Sequence, residues 1–162
     1  MRTERDSGTE IPDLRPLVRG AANGKILLLQ APLSFWGGLD PATGCIIDRR
    51  HPQCGACVTG RMLVMSGGRG SSSSSTVLAE AIRLGTAPAA IILAESDPIV
   101  VLGAVVAEIL YDHTVPVVTL EHLRIDDFHD GQHVSIDNES IRFDAPGDVR
   151  ASRGGSDADT SA

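Results

Sequence analysis

Two consecutive strand–helix–strand patterns between residues 58 and 120 determine which folds this chain can adopt. Each of three apolar runs is too short for a helix and is bounded by glycine, proline or polar residues, so each predicts a buried strand. Helix-length segments separate the runs, and a crossover helix is the usual connection between parallel strands. The predicted strands are 58–65, 89–94 and 116–120, and the predicted helices span about 73–84 and 99–110.

Both predicted helices have recognisable ends. Gly85 follows the first helix, at a position where a glycine often ends one. Asp97 precedes the second helix as an N-cap, and Pro98 suits its first position. Residues 99–110 are apolar nearly all round, so the second helix is expected to be buried.

Further strands flank this core. The apolar run 25–30 predicts a buried strand, and the alternating segments 131–136 and 140–143 predict an antiparallel hairpin. The sequence therefore predicts a compact α/β domain that has a parallel core of about three strands and added antiparallel strands. This domain covers residues 13–144.

Composition separates the two ends from the domain and excludes several functions. Segments 1–12 and 145–162 are polar and are predicted to be flexible tails. The 162 residues have a net charge of -7, with one lysine against thirteen arginines, so nucleic-acid binding is not expected. The sequence has no apolar leader and no run of eighteen apolar residues, which predicts a cytoplasmic protein without a membrane partner.

A hydroxyl-rich turn joins the first predicted strand to the first predicted helix. It extends from Ser66 to Thr76 and contains five consecutive serines. The first N–H groups of a helix have no intrahelical partner, so such a junction can bind an anion or stabilise an oxyanion. A flexible Gly/Ser connector is the alternative, but the periodic patterns on either side favour a site.

The common uses of such a turn do not fit the sequence. A P-loop needs a lysine in the turn, and the only lysine is Lys25. The dinucleotide pattern Gly-x-Gly-x-x-Gly matches residues 68–73 except at its last position, with Glu95 as a possible ribose ligand. The serine-hydrolase elbow is absent, and no spacing pairs a serine with any of the five histidines. The hydroxyls and an arginine favour a small carboxylate ligand.

Two other features leave alternatives open. Cys54 and Cys57 suit a redox pair, or a metal site together with His51 and Cys45, although reduced thiols without a special role are favoured. Trp36 is the only tryptophan and lies beside a glycine pair. It either covers the edge of the core or meets a ligand closely.

Six separated motifs stand in order between about residues 20 and 120. They are the run 32–44, Ile47-Asp48 with His51-Pro52, Gly60-Arg61-Met62-Leu63-Val64, Gly67-Gly68-Arg69-Gly70-Ser71-Ser72, Ala87-Pro88-Ala89-Ala90-Ile91, and Asp97-Pro98-Ile99-Val100 with Gly103-Ala104. In this order they resemble the small subunit of the aconitase X family.

The resemblance implies a fold and an activity. The family's small subunit corresponds to the swivelling β/β/α domain of aconitase and works with a large subunit, which carries an iron–sulfur cluster and most of the substrate site. The pair dehydrates a small hydroxy acid, and the small subunit is inactive alone. The cluster cysteines belong to the large subunit, so no metal ligand is assigned to Cys54 or Cys57.

The resemblance leaves two substrates open. Bacterial members resemble cis-3-hydroxy-L-proline dehydratase, whereas archaeal members act on mevalonate 5-phosphate. The polyserine turn favours hydroxyproline for this chain. A non-catalytic anion-binding module that uses the same turn is the hypothesis from another class.

The resemblance also assigns the proton acceptor to Ser71, directly after the Gly-Arg-Gly turn. This assignment is physically reasonable, because helix N-terminal amides and a neighbouring arginine favour the anionic form of a hydroxyl group. Ser74 and Ser75 are assigned to helix capping and solvation. The residues predicted to bind the substrate are Arg69, Gly70, Ser72, Ser73, Ser34, Trp36 and Gly37.

Overall fold

The computed structural model describes residues 10–144. The predicted tail 145–162 and residues 1–9 of the predicted tail 1–12 lie outside this range, whereas residues 10 and 11 form a short strand. The strands are β1 (Glu10–Ile11), β2 (Leu14–Val18), β3 (Ala21–Leu28), β4 (Leu39–Asp40), β5 (Cys45–Ile46), β6 (Met62–Met65), β7 (Ala90–Leu93), β8 (Val117–Leu120), β9 (His133–Asp137) and β10 (Ser140–Phe143). The helices are α1 (Phe35–Gly38), α2 (Ser74–Leu84), α3 (Pro98–Tyr111) and a 3-10 turn at Ile125–Asp127.

One eight-stranded sheet organises the described residues, in the order β1-β10-β9-β3-β6-β7-β8-β2. Strands β3, β6, β7 and β8 are parallel neighbours, so the parallel core has four strands and not about three. The fourth is β3, whose carboxyl half pairs with β6. Strand β2 was not predicted, and it pairs antiparallel with β8 at one edge of the sheet. The predicted hairpin is confirmed as β9 and β10.

Strand β3 joins two layers of the domain because its two halves pair differently. Residues 21–25 pair antiparallel with β9, and residues 26–28 pair parallel with β6. One cluster of buried apolar side chains lies between the parallel strands and helices α2 and α3, and a second lies between the other face of the parallel strands and the hairpin. The result is the β/β/α arrangement that the family resemblance implies.

The predicted helix ends are confirmed in α2 and α3. Gly85 follows α2 with φ 76°, which is the left-handed conformation that favours glycine at this position. The Asp97 carboxylate accepts the N–H groups of Ile99 and Val100, and Pro98 occupies the first turn of α3. The two helices pack against each other on one face of the sheet, with their amino ends on the same side.

The prediction that α3 is buried on all sides is wrong. The sheet and α2 cover only the side that contains Val100, Gly103, Ala104 and Ala107. The opposite side has no covering element among residues 10–144, so apolar composition alone does not imply burial here. The exposed apolar side chains are Leu102, Ile109, Leu110 and Tyr111.

A buried carboxylate fixes the start of the edge strand β2. Asp13 is 2% exposed, and it accepts hydrogen bonds from the N–H groups of His122 and Leu123 and from the His122 ring. Burial raises the pKa of this carboxyl group, but the hydrogen bond from Leu123 and those from His122 outweigh burial. The net effect lowers the pKa of Asp13 below its ordinary value.

Candidate active site

One small open cleft, of about 190 Å³, lies at the carboxyl end of the parallel strands. Ligand sites of open α/β sheets commonly lie at this end. Four segments meet there: the turn after β3, the turn after β6, and the first turns of α2 and α3. The cleft is lined by Leu33, Phe35, Gly68, Arg69, Gly70, Ser71, Ser74, Asp97, Ile99 and Val100.

Ser71 lies on the wall of this cleft with an exposed side chain. Its Oγ atom accepts a hydrogen bond from the Ser73 N–H group at 3.2 Å. Its carbonyl oxygen accepts the Ser74 N–H group at 2.9 Å, which closes a tight turn before α2. A backbone donor therefore already points at the oxygen atom that would carry negative charge if Ser71 lost its proton.

The turn that leads into α2 has free hydrogen-bond donors. Ser73 stands at the N-cap position without a side-chain capping bond, and the first turn contains no acidic residue. The N–H groups of Ser71 and Ser72 donate to no atom of the described residues. Ser72 and Ser73 are exposed. These free donors and the positive end of the helix dipole suit a carboxylate ligand.

Glycine at two positions lets the neighbouring segments approach each other closely. Gly70 has φ +103°, and a Cβ atom there would lie 2.5 Å from the Oγ atom of Ser34. A Cβ atom on Gly68 would lie 1.8 Å from the Oδ2 atom of Asp97. Arg69, between the two glycines, has an exposed side chain. The turn that carries Ser71 is therefore held against both the turn after β3 and the start of α3.

Asp97 is a cleft residue that the sequence indicated only as a helix cap. Its Oδ1 atom accepts the N–H groups of Ile99 and Val100 at 2.8 Å and 3.4 Å, and its Oδ2 atom lies against Gly68. Asp97 and Arg69 are the charged side chains that line the cleft among residues 10–144. No sequence signal placed this carboxylate beside the serine turn, because the contact joins two separate strand–helix units.

The segment after β3 forms a kinked turn beside the cleft. The helical geometry of α1 is interrupted at Trp36 and Gly37. Trp36 is 58% exposed, so it does not cover the edge of the core, and Phe35 is buried in its place. The Ser34 hydroxyl group donates to the Trp36 carbonyl oxygen at 2.9 Å. Trp36 and Gly37 lie beside the lining of the cleft and not in it.

Ser74 does not have the solvated position that its sequence context suggested. It is 5% exposed and contacts the segment after β3. Its Oγ atom accepts the Trp36 N–H group at 3.1 Å and lies 3.4 Å from the Oγ atom of Ser34. Ser75, by contrast, donates to the Ser72 carbonyl oxygen in the turn just before the helix. Sequence separations of 38 and 40 residues explain why no local pattern indicated the Ser74 contacts.

The cysteines match neither the Cys54–Cys57 redox pair that was one alternative nor the favoured pair of reduced thiols. A disulfide joins Cys45 to Cys57, which face each other across an antiparallel bridge, and Cys54 is free. The favoured interpretation of Cys57 as a reduced thiol is therefore wrong. His51 is buried and bonded to Ala31 and Gln53. Residues 10–144 contain no group of three or more His, Cys, Asp or Glu side chains placed to hold a metal ion. These residues do not fit an iron–sulfur cluster.

No helix in the described part of the chain is long and apolar enough to cross a membrane.

Two curated relatives illustrate the similarity to known proteins. The chain is 50% identical over 106 residues to cis-3-hydroxy-L-proline dehydratase of Pseudomonas aeruginosa, which covers 65% of this chain and 18% of that protein. It is 36% identical over 137 residues to the phosphomevalonate dehydratase small subunit of Pyrococcus furiosus, which covers 83% of this chain and 96% of that subunit. The chain thus spans less than a fifth of the first relative and nearly all of the second.

Solved structures agree with this similarity. The holo form of Thermococcus kodakaraensis aconitase X superimposes with a TM-score of 0.74 at 30% identity, covering 84% of this chain and 98% of that one. A family model described as the aconitase X swivel domain matches residues 12–143. That match includes the parallel strands, the hairpin, both long helices and the serine turn. The chain therefore belongs to the aconitase X swivel-domain family.

Proposed function

We propose that this chain is the small-subunit part of an aconitase X-type hydro-lyase, in which Ser71 removes the proton. The relatives named above are a dehydratase and a dehydratase subunit. In this proposal a large subunit completes the site and carries the iron–sulfur cluster, which supplies Lewis-acid chemistry when bound. No residue described here is assigned to the cluster. The chain is expected to be inactive without its partner.

The observation on which this proposal rests is the environment of the Ser71 hydroxyl group. A proton alpha to a carboxylate is weakly acidic, so its removal needs a base at close range and stabilisation of the negative charge. Serine is a poor base in water. Here the Ser73 N–H group donates to Ser71 Oγ at 3.2 Å, and both residues stand at the positive end of α2. These features favour the anionic form of Ser71.

The same turn offers a place for the substrate carboxylate. The N–H groups of Ser71 and Ser72 have no acceptor among residues 10–144. The exposed hydroxyl groups of Ser72 and Ser73 and the Arg69 guanidinium supply further donors. We therefore keep Arg69, Gly70, Ser72 and Ser73 as proposed substrate contacts.

We propose cis-3-hydroxy-L-proline as the substrate. This amino acid is a zwitterion, and the cleft presents one cationic and one anionic side chain, Arg69 and Asp97. The P. aeruginosa relative of that name is 50% identical over the matched residues. Phosphomevalonate is the second candidate, favoured by the match to nearly the whole of the P. furiosus small subunit. Phosphomevalonate carries more negative charge than hydroxyproline, so the large subunit would have to supply additional cationic side chains.

Reconstitution with the candidate large subunit tests the proposal, with both substrates assayed in parallel. We expect turnover only in the mixture, and a loss of roughly 10²- to 10⁴-fold for Ser71→Ala. Thr76→Ala is the matched control, since its exposed side chain has no hydrogen-bond partner among residues 10–144, and it should retain activity. Full turnover by a correctly assembled Ser71→Ala enzyme would exclude Ser71 as the base. Carboxylate binding without turnover in the mixture would favour the non-catalytic anion-binding module.

A further inference from the structure

Three groups near Ser71 form a closed ring of hydrogen bonds. The Trp36 N–H group donates to Ser74 Oγ at 3.1 Å, and the Ser34 hydroxyl group donates to the Trp36 carbonyl oxygen at 2.9 Å. The third contact joins the Oγ atoms of Ser34 and Ser74 at 3.4 Å and is the longest of the three. A serine hydroxyl group has one proton to donate. Because the proton of Ser34 goes to Trp36, the proton in the third contact comes from Ser74.

This ring lies between the kinked turn after β3 and the turn that carries Ser71. On one side, the Ser34 Oγ atom lies 2.5 Å from the position that a Cβ atom on Gly70 would take. On the other side, the Ser74 N–H group donates to the carbonyl oxygen of Ser71 at 2.9 Å. Ser74 thus bonds through its backbone to Ser71 and through its side chain to Ser34 and Trp36. Its 5% exposure keeps water from competing for these bonds.

We propose that Ser74 is a positioning residue, whose buried hydroxyl group fixes the Ser34–Trp36 turn to the start of α2 and so holds Ser71 in its reactive place. This inference rests on the proposed function of Ser71. While the ring is closed, the Ser34 proton is directed to the Trp36 carbonyl oxygen, so Ser34 would meet a substrate as an acceptor. Positioning acts on the geometry of proton transfer, and therefore on kcat more than on substrate binding.

The tryptophan provides a measurement that does not depend on activity. Trp36 is the only tryptophan of the chain, so time-resolved fluorescence anisotropy of the full chain reports the local motion of this turn. We expect Ser74→Ala to increase the amplitude of nanosecond motion at Trp36. Thr76→Ala, two residues further along α2 and with an exposed side chain, should leave it unchanged. Unaltered motion in a folded Ser74→Ala chain overturns the proposal.

Kinetics of the reconstituted enzyme test the positioning role itself. We expect Ser74→Ala to lower kcat by roughly tenfold, because small displacements of a reacting group cost about this much or more. KM should stay within about twofold of the wild-type value. An unchanged kcat overturns the positioning role, even if Trp36 moves more. If Ser71→Ala retains full turnover, the proposed function fails and the positioning role fails with it, whereas the anisotropy still decides whether the ring exists.

A second variant covers the case in which Ser74→Ala does not fold. Ser34→Ala opens the same ring from a half-buried loop position, and it should raise the motion of Trp36 in the same way. In the double variant the two effects should not add, because both substitutions remove one shared ring. Additive effects would mean that Ser34 and Ser74 act independently, and they would overturn the proposal.

Discussion

Helices α2 and α3 begin side by side at the same cleft, but their first turns are built differently. In α3 the Asp97 carboxylate accepts two backbone N–H groups and brings a negative charge to the positive end of the helix. In α2 no side chain caps the helix, and serines stand where a carboxylate would stabilise it. The first turn of α3 is thus capped by a side chain, whereas the turn that leads into α2 keeps the N–H groups of Ser71 and Ser72 available.

The difference shows that the starts of two equivalent helices can serve stability in one case and ligand binding in the other. Both helices follow a parallel strand of the same sheet, so the backbone alone would offer two similar anion sites. The Asp97 carboxylate occupies the site at α3 and stabilises that helix. The missing cap in α2 sacrifices a stabilising interaction, which is consistent with the chemistry that we propose for Ser71.

Among the substitutions that test this comparison, Gly68→Ala is expected to change the free energy of unfolding most. The added Cβ atom would lie 1.8 Å from the Oδ2 atom of Asp97, so either the cap or the serine turn must move. We expect the free energy of unfolding to fall by about 2 to 3 kcal/mol. Gly67→Ala is the matched control, since nothing lies within 4 Å of its Cβ position. Chemical denaturation measures both variants, and equal stability of the two would contradict the tight contact.

Smaller changes in stability should distinguish the capped start of α3 from the uncapped start of α2. Asp97→Ala is expected to lower the free energy of unfolding by about 1 kcal/mol, because it leaves the N–H groups of Ile99 and Val100 without their acceptor. Ser73→Ala should change it by less than about 0.5 kcal/mol, since the Ser73 side chain caps nothing. Thermal unfolding of both variants checks this. A larger loss for Ser73→Ala would reverse the comparison.

A small gain in stability is expected when a carboxylate is added at the start of α2. Ser73→Asp places a carboxylate at the positive end of α2, so the free energy of unfolding should rise by about 0.5 kcal/mol. The same charge should repel a substrate carboxylate and lower kcat/KM of the reconstituted enzyme. Denaturation and steady-state kinetics on one preparation test both halves. Greater stability with undiminished kcat/KM would mean that the substrate carboxylate binds elsewhere.

Most of the fold could be predicted from the sequence, because local signals repeat along it. Asp97-Pro98 and Gly85 set helix ends through short-range backbone chemistry, and the apolar runs of β6, β7 and β8 are too short for helices. Strand β2 was missed because Pro16 and Arg15 obscure its apolar pattern. The exposed side of α3 was missed because its composition gives no information about which neighbours cover it.

The candidate site was predictable only in part. Ser71 and Arg69 lie together because they belong to one turn, which a single motif specifies. Ser74 contacts Trp36, 38 residues away, and Asp97 lies against Gly68 of the preceding strand–helix unit, so only the tertiary structure brings them to the cleft. The cysteines illustrate the same limit. The spacing of Cys54 and Cys57 suggested a pair, but the register of the antiparallel bridge places Cys45 opposite Cys57.

The Asp13 carboxylate couples the folding of the edge strand to the binding of a proton. Hydrogen bonds from Leu123 and His122 outweigh burial and lower its pKa in the folded chain, so the unfolded chain binds this proton more tightly. The stabilisation from Asp13 is therefore complete above the ordinary pKa of about 3.9 and disappears as the pH falls through the lower folded value. Acid should thus weaken the β2 edge of the sheet, and Asp13→Asn should flatten the decline of the unfolding free energy below about pH 4.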